Sequence, residues 1–480
     1  MKRSLLIAVL LAGGCTVGPN YGRPVVPTPA QYAEADRTGG LSDAALAGWW
    51  SAFGDPQLDT LVNRALAQNL DLEQAEARIR EARAREAATG AASLPQVDAQ
   101  GSVTRQRISE HAIPVPPGAG SSGSFGLPGS EFTTWRAGFD ASWEIDLFGR
   151  NRRSVEAARA RTGAAIWNRR DLQLTIAAEV ADNYLDLRTL QQRIAVAEAE
   201  LDRQQRFERL VAARVRGGLV TGQDLAQQSA ERATAAAALP ALREQADARI
   251  HALGVLTGDT PEALIGQLSQ ASALPAAPSV PAGLPSELLR RRPDIRAAER
   301  ELAASNADIG VAVADLYPRI SLTAAPALVS TALATLLEWG SRSFSIGAAI
   351  DWPIFNGGRT KANIAVANAR QEQALIAYRK AVLTALQDVE DSLSRTQGDR
   401  DQLVNLTTAL DQARRAEDLA RTRYKGGLVI YSDVLIAQGR RLGVENQVIE
   451  AKGMLARDAA GLFKALGGGW PELTTQGAEQ

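Results

Sequence analysis

The sequence predicts an α+β membrane protein in which long helices alternate with pairs of short membrane strands, the whole pattern being written twice. Three observations carry this. One unit recurs in tandem along the 480 residues. Two segments in each copy alternate apolar and polar residues with a period of two, as a strand with one apolar face does. Each pair is followed by an uninterrupted helical pattern of unusual length, 149–216 and 358–425, with no proline inside it.

From the start, 1–14 reads as a signal peptide. Lys2 and Arg3 precede the apolar run Leu5 to Leu11, which is too short for a bilayer-spanning helix of about 20 residues. Cys15 follows the small residues Ala12-Gly13-Gly14. That pattern resembles a bacterial lipobox, whose cysteine is lipidated and becomes the new N-terminus. Thr16 stands where an aspartate would favour inner-membrane retention, which implies an outer-membrane destination. Residues 15–55 are then a lipid-bearing extended segment, with prolines from Pro19 to Pro29. Cys15 is the only cysteine, so the chain forms no internal disulfide and no multi-cysteine metal site. No cofactor is expected beyond the lipid on Cys15. The two histidines, His111 and His251, leave little for an imidazole-based active site. With 53 Lys+Arg against 54 Asp+Glu, the chain lacks the basic excess that a nucleic-acid partner demands.

The repeat is read from matched motifs. Arg214-Val-Arg-Gly217-Gly218-Leu219-Val220 recurs as Arg423-Tyr-Lys-Gly426-Gly427-Leu428-Val429, an offset of 209 (217 to 426). The same offset joins Trp143 to Trp352 and Gly149-Arg150 to Gly358-Arg359. Earlier in the unit the offset is 223, joining Asp71 to Asp294 and Pro95 to Pro318. The difference is an insertion in the first copy, placed in the Pro/Gly/Ser-rich stretch beginning at Ile113. The copies are 56–274 and 286–470, joined by the proline-rich linker 275–285 and followed by a tail, 471–480. A period of roughly 200 residues is too long for a solenoid.

The strands come next. Val97, Ala99, Gly101 and Val103 alternate with polar residues, and so do Trp135, Ala137, Phe139, Ala141, Trp143 and Ile145. Strands are expected at about 97–107 and 133–146 in the first copy, and at about 319–329 and 343–355 in the second. Their length suits tilted membrane strands of about 9–11 residues. Aromatics crowd these segments in a chain otherwise poor in them. Trp135, Trp143, Phe344 and Trp352 are the expected membrane girdle. No later run of 18 apolar residues exists, so any crossing must be made by strands.

Each long helical pattern would reach about 100 Å at 1.5 Å per residue and stops at a Gly-Gly pair. A second helix follows from about Asp224 and from about Asp433.

Four membrane strands cannot close a barrel, and open edges in lipid leave unpaired backbone groups at several kcal/mol each. The strands must therefore be pooled between chains. Two chains supply eight and three supply twelve. The small polar residues opposite the apolar face favour an open lumen, hence a homotrimer.

These residues resemble the TolC-type outer-membrane efflux ducts in their lipoprotein branch, the NodT-like outer-membrane factors of RND-type tripartite pumps. The motifs are Gly18-Pro19-Asn20-Tyr21-Gly22-Arg23-Pro24 and Trp49-Trp50-Ser-Ala-Phe53-Gly-Asp55-Pro56. They continue with Asp146-Leu147-Phe148-Gly149-Arg150, with Arg291-Arg292-Pro293-Asp294-Ile295-Arg-Ala-Ala298-Glu299 and with Tyr317-Pro318-Arg319-Ile320. The resemblance implies a trimer with a twelve-stranded barrel continued by a long periplasmic helical barrel. It implies a passive exit for drugs or other small toxic compounds, working with a periplasmic adaptor (a membrane fusion protein) and an inner-membrane RND-type transporter. Polypeptide secretion of type I and metal-ion efflux are alternative cargoes.

The resemblance also places Gly217-Gly218-Leu219 and Gly426-Gly427-Leu428 at the periplasmic tip, where the adaptor docks, although the same glycines serve as plain helix stops. It implies a gate in which Tyr424 ties to Asp224. Thr221-x-x-Asp224 reads equally as a capping box. Asp433 matches an acidic constriction position and reads also as a first-turn helix acid. Ile436 stands where a second acid can occur, which makes the gate more apolar. Rival classes are an enzyme and a soluble periplasmic coiled-coil scaffold. Gly118-Ala-Gly120-Ser-Ser-Gly123 fits a dinucleotide fingerprint but lies in a loop.

Overall fold

A computed structural model of the chain describes residues 16–33, 46–109, 131–281, 283 and 285–468. The signal peptide, Cys15, the inserted loop of the first copy with its Gly118–Gly123 motif, and the tail 471–480 lie outside those residues.

The first copy opens with α1 (Pro56–Gln68). Asp55 accepts from the backbone N–H of Gln57 (2.8 Å) and Leu58 (3.2 Å), and Pro56 fills the first turn. The helical start of the first copy is broken at Asn69, whose Oδ1 caps α2 (Leu70–Ala91) by accepting from Asp71 (2.9 Å) and Leu72 (3.2 Å). Then come β1 (Gln96–Arg107), β2 (Glu131–Ile145), α3 (Arg150–Arg216) and α4 (Gly222–Leu256). The second copy runs α5 (Pro285–Arg291), α6 (Pro293–Ala314), β3 (Arg319–Ala324), β4 (Ala327–Ser330), β5 (Arg342–Ser343), β6 (Ile346–Asp351), α7 (Arg359–Lys425) and α8 (Tyr431–Ala465). The copies match in helix length: 22 residues in α2 and α6, 67 in α3 and α7, 35 in α4 and α8. No helix among the described residues is long and apolar enough to cross a membrane.

The chain divides into two compact units, each drawing on both copies. The first gathers the described residues of Met1–Arg23, Arg80–Gly163 and Glu299–Ile376 around the antiparallel sheet. Six strand segments make four ribbons, because the register runs unbroken through the interruptions. Ala324 pairs with Ala141 and Ala327 with Gly138, while Ala324 pairs with Ile346 and Ala327 with Ser343. The third ribbon, expected as one strand over 319–329, is interrupted at Ala325-Pro326, since proline has no N–H for the ladder. The Pro326 carbonyl still accepts from Phe139 N–H at 2.9 Å. The fourth, expected over 343–355, stops at Asp351, before Pro353.

The alternation survives as one continuous apolar face. Val97, Ala99, Gly101 and Val103 stand opposite Ala141, Phe139, Ala137 and Trp135. Ile320, Leu322 and Ala324 stand between Ile145, Trp143 and Ala141 on one side and Ile350, Ala348 and Ile346 on the other. Val97, Val103, Phe139, Ile346 and Ile350 are exposed. The opposite face carries Asp98 beside Asp140, Ser102 beside Arg136 and Thr104 beside Thr134. Among the described residues β1 pairs only with β2, β5 only with β4 and β6 only with β3, so both sheet edges are unpaired.

Two tryptophans related by the repeat hold the strands to the helices before them. Trp143 Nε1 donates to the Ser93 carbonyl and Trp352 Nε1 to the Leu316 carbonyl, each at 3.0 Å. The carbonyls, like the indoles, occupy matched places in the two copies.

The second unit gathers the described residues of Pro24–Ile79, Ala164–Ala298 and Ala377–Gln480 and is mainly helical. Its core holds Trp49, Tyr184, Tyr378 and Phe463 with Leu58, Leu61, Leu185 and Leu253. Trp49 stacks on Phe463 at 5.3 Å. The Trp49-Trp50-x-x-Phe53 motif thus supplies core aromatics, and Tyr184 Oη donates to Asp55 at 2.6 Å.

Candidate functional site

The helical unit ends each long helix in the same turn. Gly218 and Gly427 adopt φ of 68° and 72°, a conformation in which a side chain is strained. The Gly218 N–H bonds the Val215 carbonyl (2.9 Å) and the Leu219 N–H bonds that of Arg214 (2.9 Å). In the second copy Gly427 bonds Tyr424 (3.0 Å) and Leu428 bonds Arg423 (2.9 Å). These are paired Schellman caps. They leave Leu219 and Leu428 each 76% exposed, so both turns present an apolar side chain to water.

The helices that leave the turns differ. On α4, Asp224 Oδ2 accepts from Thr221 N (2.9 Å) and Thr221 Oγ1 (2.8 Å), closing the capping box. On α8 the cap position is Ile430, which has no side-chain acceptor. Asp433 and Ile436 are both exposed, one turn apart near the start of α8.

The structure does not bring Tyr424 and Asp224 together. Asp224 is held by Thr221. Tyr424 Oη instead accepts from Arg214 Nη1 at 3.1 Å, with the guanidinium 5.7 Å from the ring centre. The physical reason is local. The capping box satisfies the Asp224 carboxylate within its own turn, and Arg214 on α3 offers the phenol a charged donor. Tyr424 also lies 5.5 Å from Tyr431, which stacks on Phe207 at 4.6 Å and donates to Gln228 Oε1 at 2.5 Å. Burial raises the Tyr431 phenol above its ordinary range.

Farther from the turns lies a buried polar cluster that sequence patterns missed. Arg441 on α8 is 7% exposed and bridges Glu200 of α3 (4%) at 3.3 Å and Glu417 of α7 (6%) at 2.5 Å. It also pairs with Glu445. Gln438 Nε2 donates to Glu200 Oε1 at 2.6 Å, Gln204 Nε2 does the same at 2.6 Å, and Gln228 Nε2 donates to Gln204 Oε1 at 2.6 Å. All four tip helices contribute. The repeat held the signal. Glu417 and Arg441 correspond to Glu208 and Arg232, which pair at 2.9 Å in the first copy.

The girdle residues separate. Trp143 and Trp352 are exposed and tied at one end of the sheet, as above. Trp135 is half-buried between Val103 and Ser330, and Phe344 is exposed beside the third ribbon's break.

Comparison with known proteins gives a consistent result. Residues 61–259 and 284–468 match the family described as outer membrane efflux protein. The pyoverdine export outer membrane protein OpmQ of Pseudomonas aeruginosa is 36% identical over 97% of this chain and 96% of its own length. The cation efflux system protein CusC of Escherichia coli O6:H1 is 31% identical over 96% of each. The solved outer-membrane channel OprN superimposes with a TM-score of 0.86 at 33% identity, over 95% of this chain and 100% of that one.

Proposed function

The chain belongs to the outer membrane efflux protein family and is an outer-membrane efflux channel that extends into the periplasm, and from that premise we propose that three copies form the exit duct of a tripartite pump. The observation that carries the proposal is the four-ribbon sheet with one continuous apolar face and two unpaired edges. Lipid tolerates no such edge, and three copies joined edge to edge supply a barrel of twelve strands, wide enough for a lumen. The expected lipid on Cys15 would add an anchor beside the barrel.

The paired caps with exposed Leu219 and Leu428 suit docking of the hairpin ends of a periplasmic adaptor, which would connect the duct to an inner-membrane transporter of the RND type. The tips are the gate. Arg214–Tyr424, Tyr431–Gln228 and the Arg441 cluster join the hairpin of the first copy to that of the second. Asp433 and Ile436 line the constriction, and Asp224 acts by fixing the start of α4. Drugs and other small toxic compounds are the expected cargo, with a siderophore or metal cations as alternatives that the named relatives suggest.

The test is extraction and electrophoresis. The protein should leave the outer membrane only with detergent, run unboiled as a trimer and fall on boiling to a single-chain band just below the 51.0 kDa of the unprocessed sequence. Its loss should sensitise the cell to pump substrates. A monomer released by buffer alone would refute the duct and favour a soluble scaffold.

A further inference from the structure

The segment from Thr16 to Arg23 lies outside the strands and is held along its length within the sheet-bearing unit. Val17 N–H donates to the Phe148 carbonyl at 3.1 Å. Arg153, buried on α3, reaches three points on the segment: Nε donates to Val17 O (3.2 Å), and Nη2 to Gly18 O (3.4 Å) and Asn20 Oδ1 (2.7 Å). Asn306 Nδ2 on α6 donates to Pro19 O at 3.0 Å. Glu299, buried on the same helix, accepts from Tyr21 Oη at 3.5 Å and pairs with Arg23 at 3.4 Å. A guanidinium fork reading consecutive backbone carbonyls orders a chain that has no core of its own.

The backbones are fitted to this contact. Gly18 has φ of 89°, and a Cβ there would lie 2.5 Å from the Gly310 Cα. A Cβ on Gly310 would lie 2.7 Å from Arg153 Cγ. Only glycine at both places leaves room for the segment and for the arginine beneath it.

The site has a definite level in the unit. Thr16 lies against Gly149, between the end of β2 and the start of α3. There Phe148 stacks on Tyr317 at 4.7 Å, and Asp315 joins Arg150 (3.1 Å) to Arg319 (2.6 Å). The Trp143 and Trp352 indoles are tied to carbonyls just ahead of β1 and β3. Indoles favour the lipid–water boundary.

We propose that residues 17–23 form a docked strap and that Arg153 is its positioning residue, holding the segment against the strand–helix rim of the sheet-bearing unit. The strap stands on the contacts alone.

The experiment is chymotryptic cleavage after Tyr21 in the detergent-purified full chain, followed by mass spectrometry. The native strap should resist. Arg153→Ala should raise the cleavage rate at that bond at least tenfold while cleavage elsewhere and the unboiled oligomer band stay unchanged, and Arg153→Lys should recover part of the protection. The double variant Asn20→Ala/Asn306→Ala, which spares the helix core, should raise the rate in the same direction if Arg153→Ala fails to assemble. A native rate in both variants overturns the strap.

Discussion

Replacing Arg441 with methionine tests whether the buried cluster is a true ion network. The guanidinium is enclosed, and its removal strands Glu200 and Glu417, both buried. Removing one partner of a buried pair costs about 3–5 kcal/mol. Glu200 keeps Arg203 at 2.6 Å and Glu417 keeps Arg421 at 2.6 Å, which places the expected loss at the lower end, about 3 kcal/mol. The triple variant Glu200→Gln/Glu417→Gln/Arg441→Met removes the charges together and should recover most of that loss, because apolar or neutral replacements of a whole buried network are often neutral. Denaturation followed by helicity in detergent measures both. A loss under about 1 kcal/mol for Arg441→Met, or no recovery in the triple variant, would refute the reasoning. Planar-bilayer conductance adds the functional reading. Arg441→Met should raise the open fraction, since the cluster ties α8 to α3.

Burial, and then the hydrogen bond and charge of Asp399, push the Asp458 carboxyl up to about 6. The native state thus binds this proton more tightly than the unfolded chain, whose aspartates titrate near ~3.9, so stability falls as pH rises through about 6. Asp458→Asn should melt above the native protein at neutral pH, the gap closing toward pH ~4; an equal gap at both would sink the assignment. Bulky β-branched residues at Gly218 and Gly427 should abolish efflux in a susceptibility assay while the unboiled oligomer yield holds, because the strain is confined to the turn. Asp224→Ala should cost the capping box, about 1 kcal/mol, and raise single-channel conductance less than Tyr424→Phe does. Brominated lipid should quench Trp143 and Trp352 in reconstituted channels and spare Trp49, which lies in the helical core.

Much of the fold was legible because the repeat doubled every signal. The helical patterns over 149–216 and 358–425 appear as α3 and α7, and the alternation through Val97 to Val103 and Trp135 to Ile145 appears within one apolar face. What stayed hidden depends on partners far away in sequence. Pro326 falls inside the strand expected over 319–329, yet its missing N–H interrupts the ribbon. Asn69 broke the first helical stretch through a cap that also donates to the Leu256 carbonyl at 2.9 Å. At the tips, Asp224 and Tyr424 were paired by resemblance, whereas local capping claimed the acid and Arg214 the phenol. Glu200 and Arg441 are separated by more than a full repeat, and no local pattern announces that they meet.

The unpaired margins of the sheet differ in origin. One is β1, from the first copy, and the other is β6 with β5, from the second. Neighbouring subunits therefore join head to tail, first-copy margin to second-copy margin, and the ring closes only when every seam is sound. One misfolded participant breaks the circle for its healthy companions. A variant that spoils a single margin should consequently behave as a dominant poison when co-expressed with the native gene.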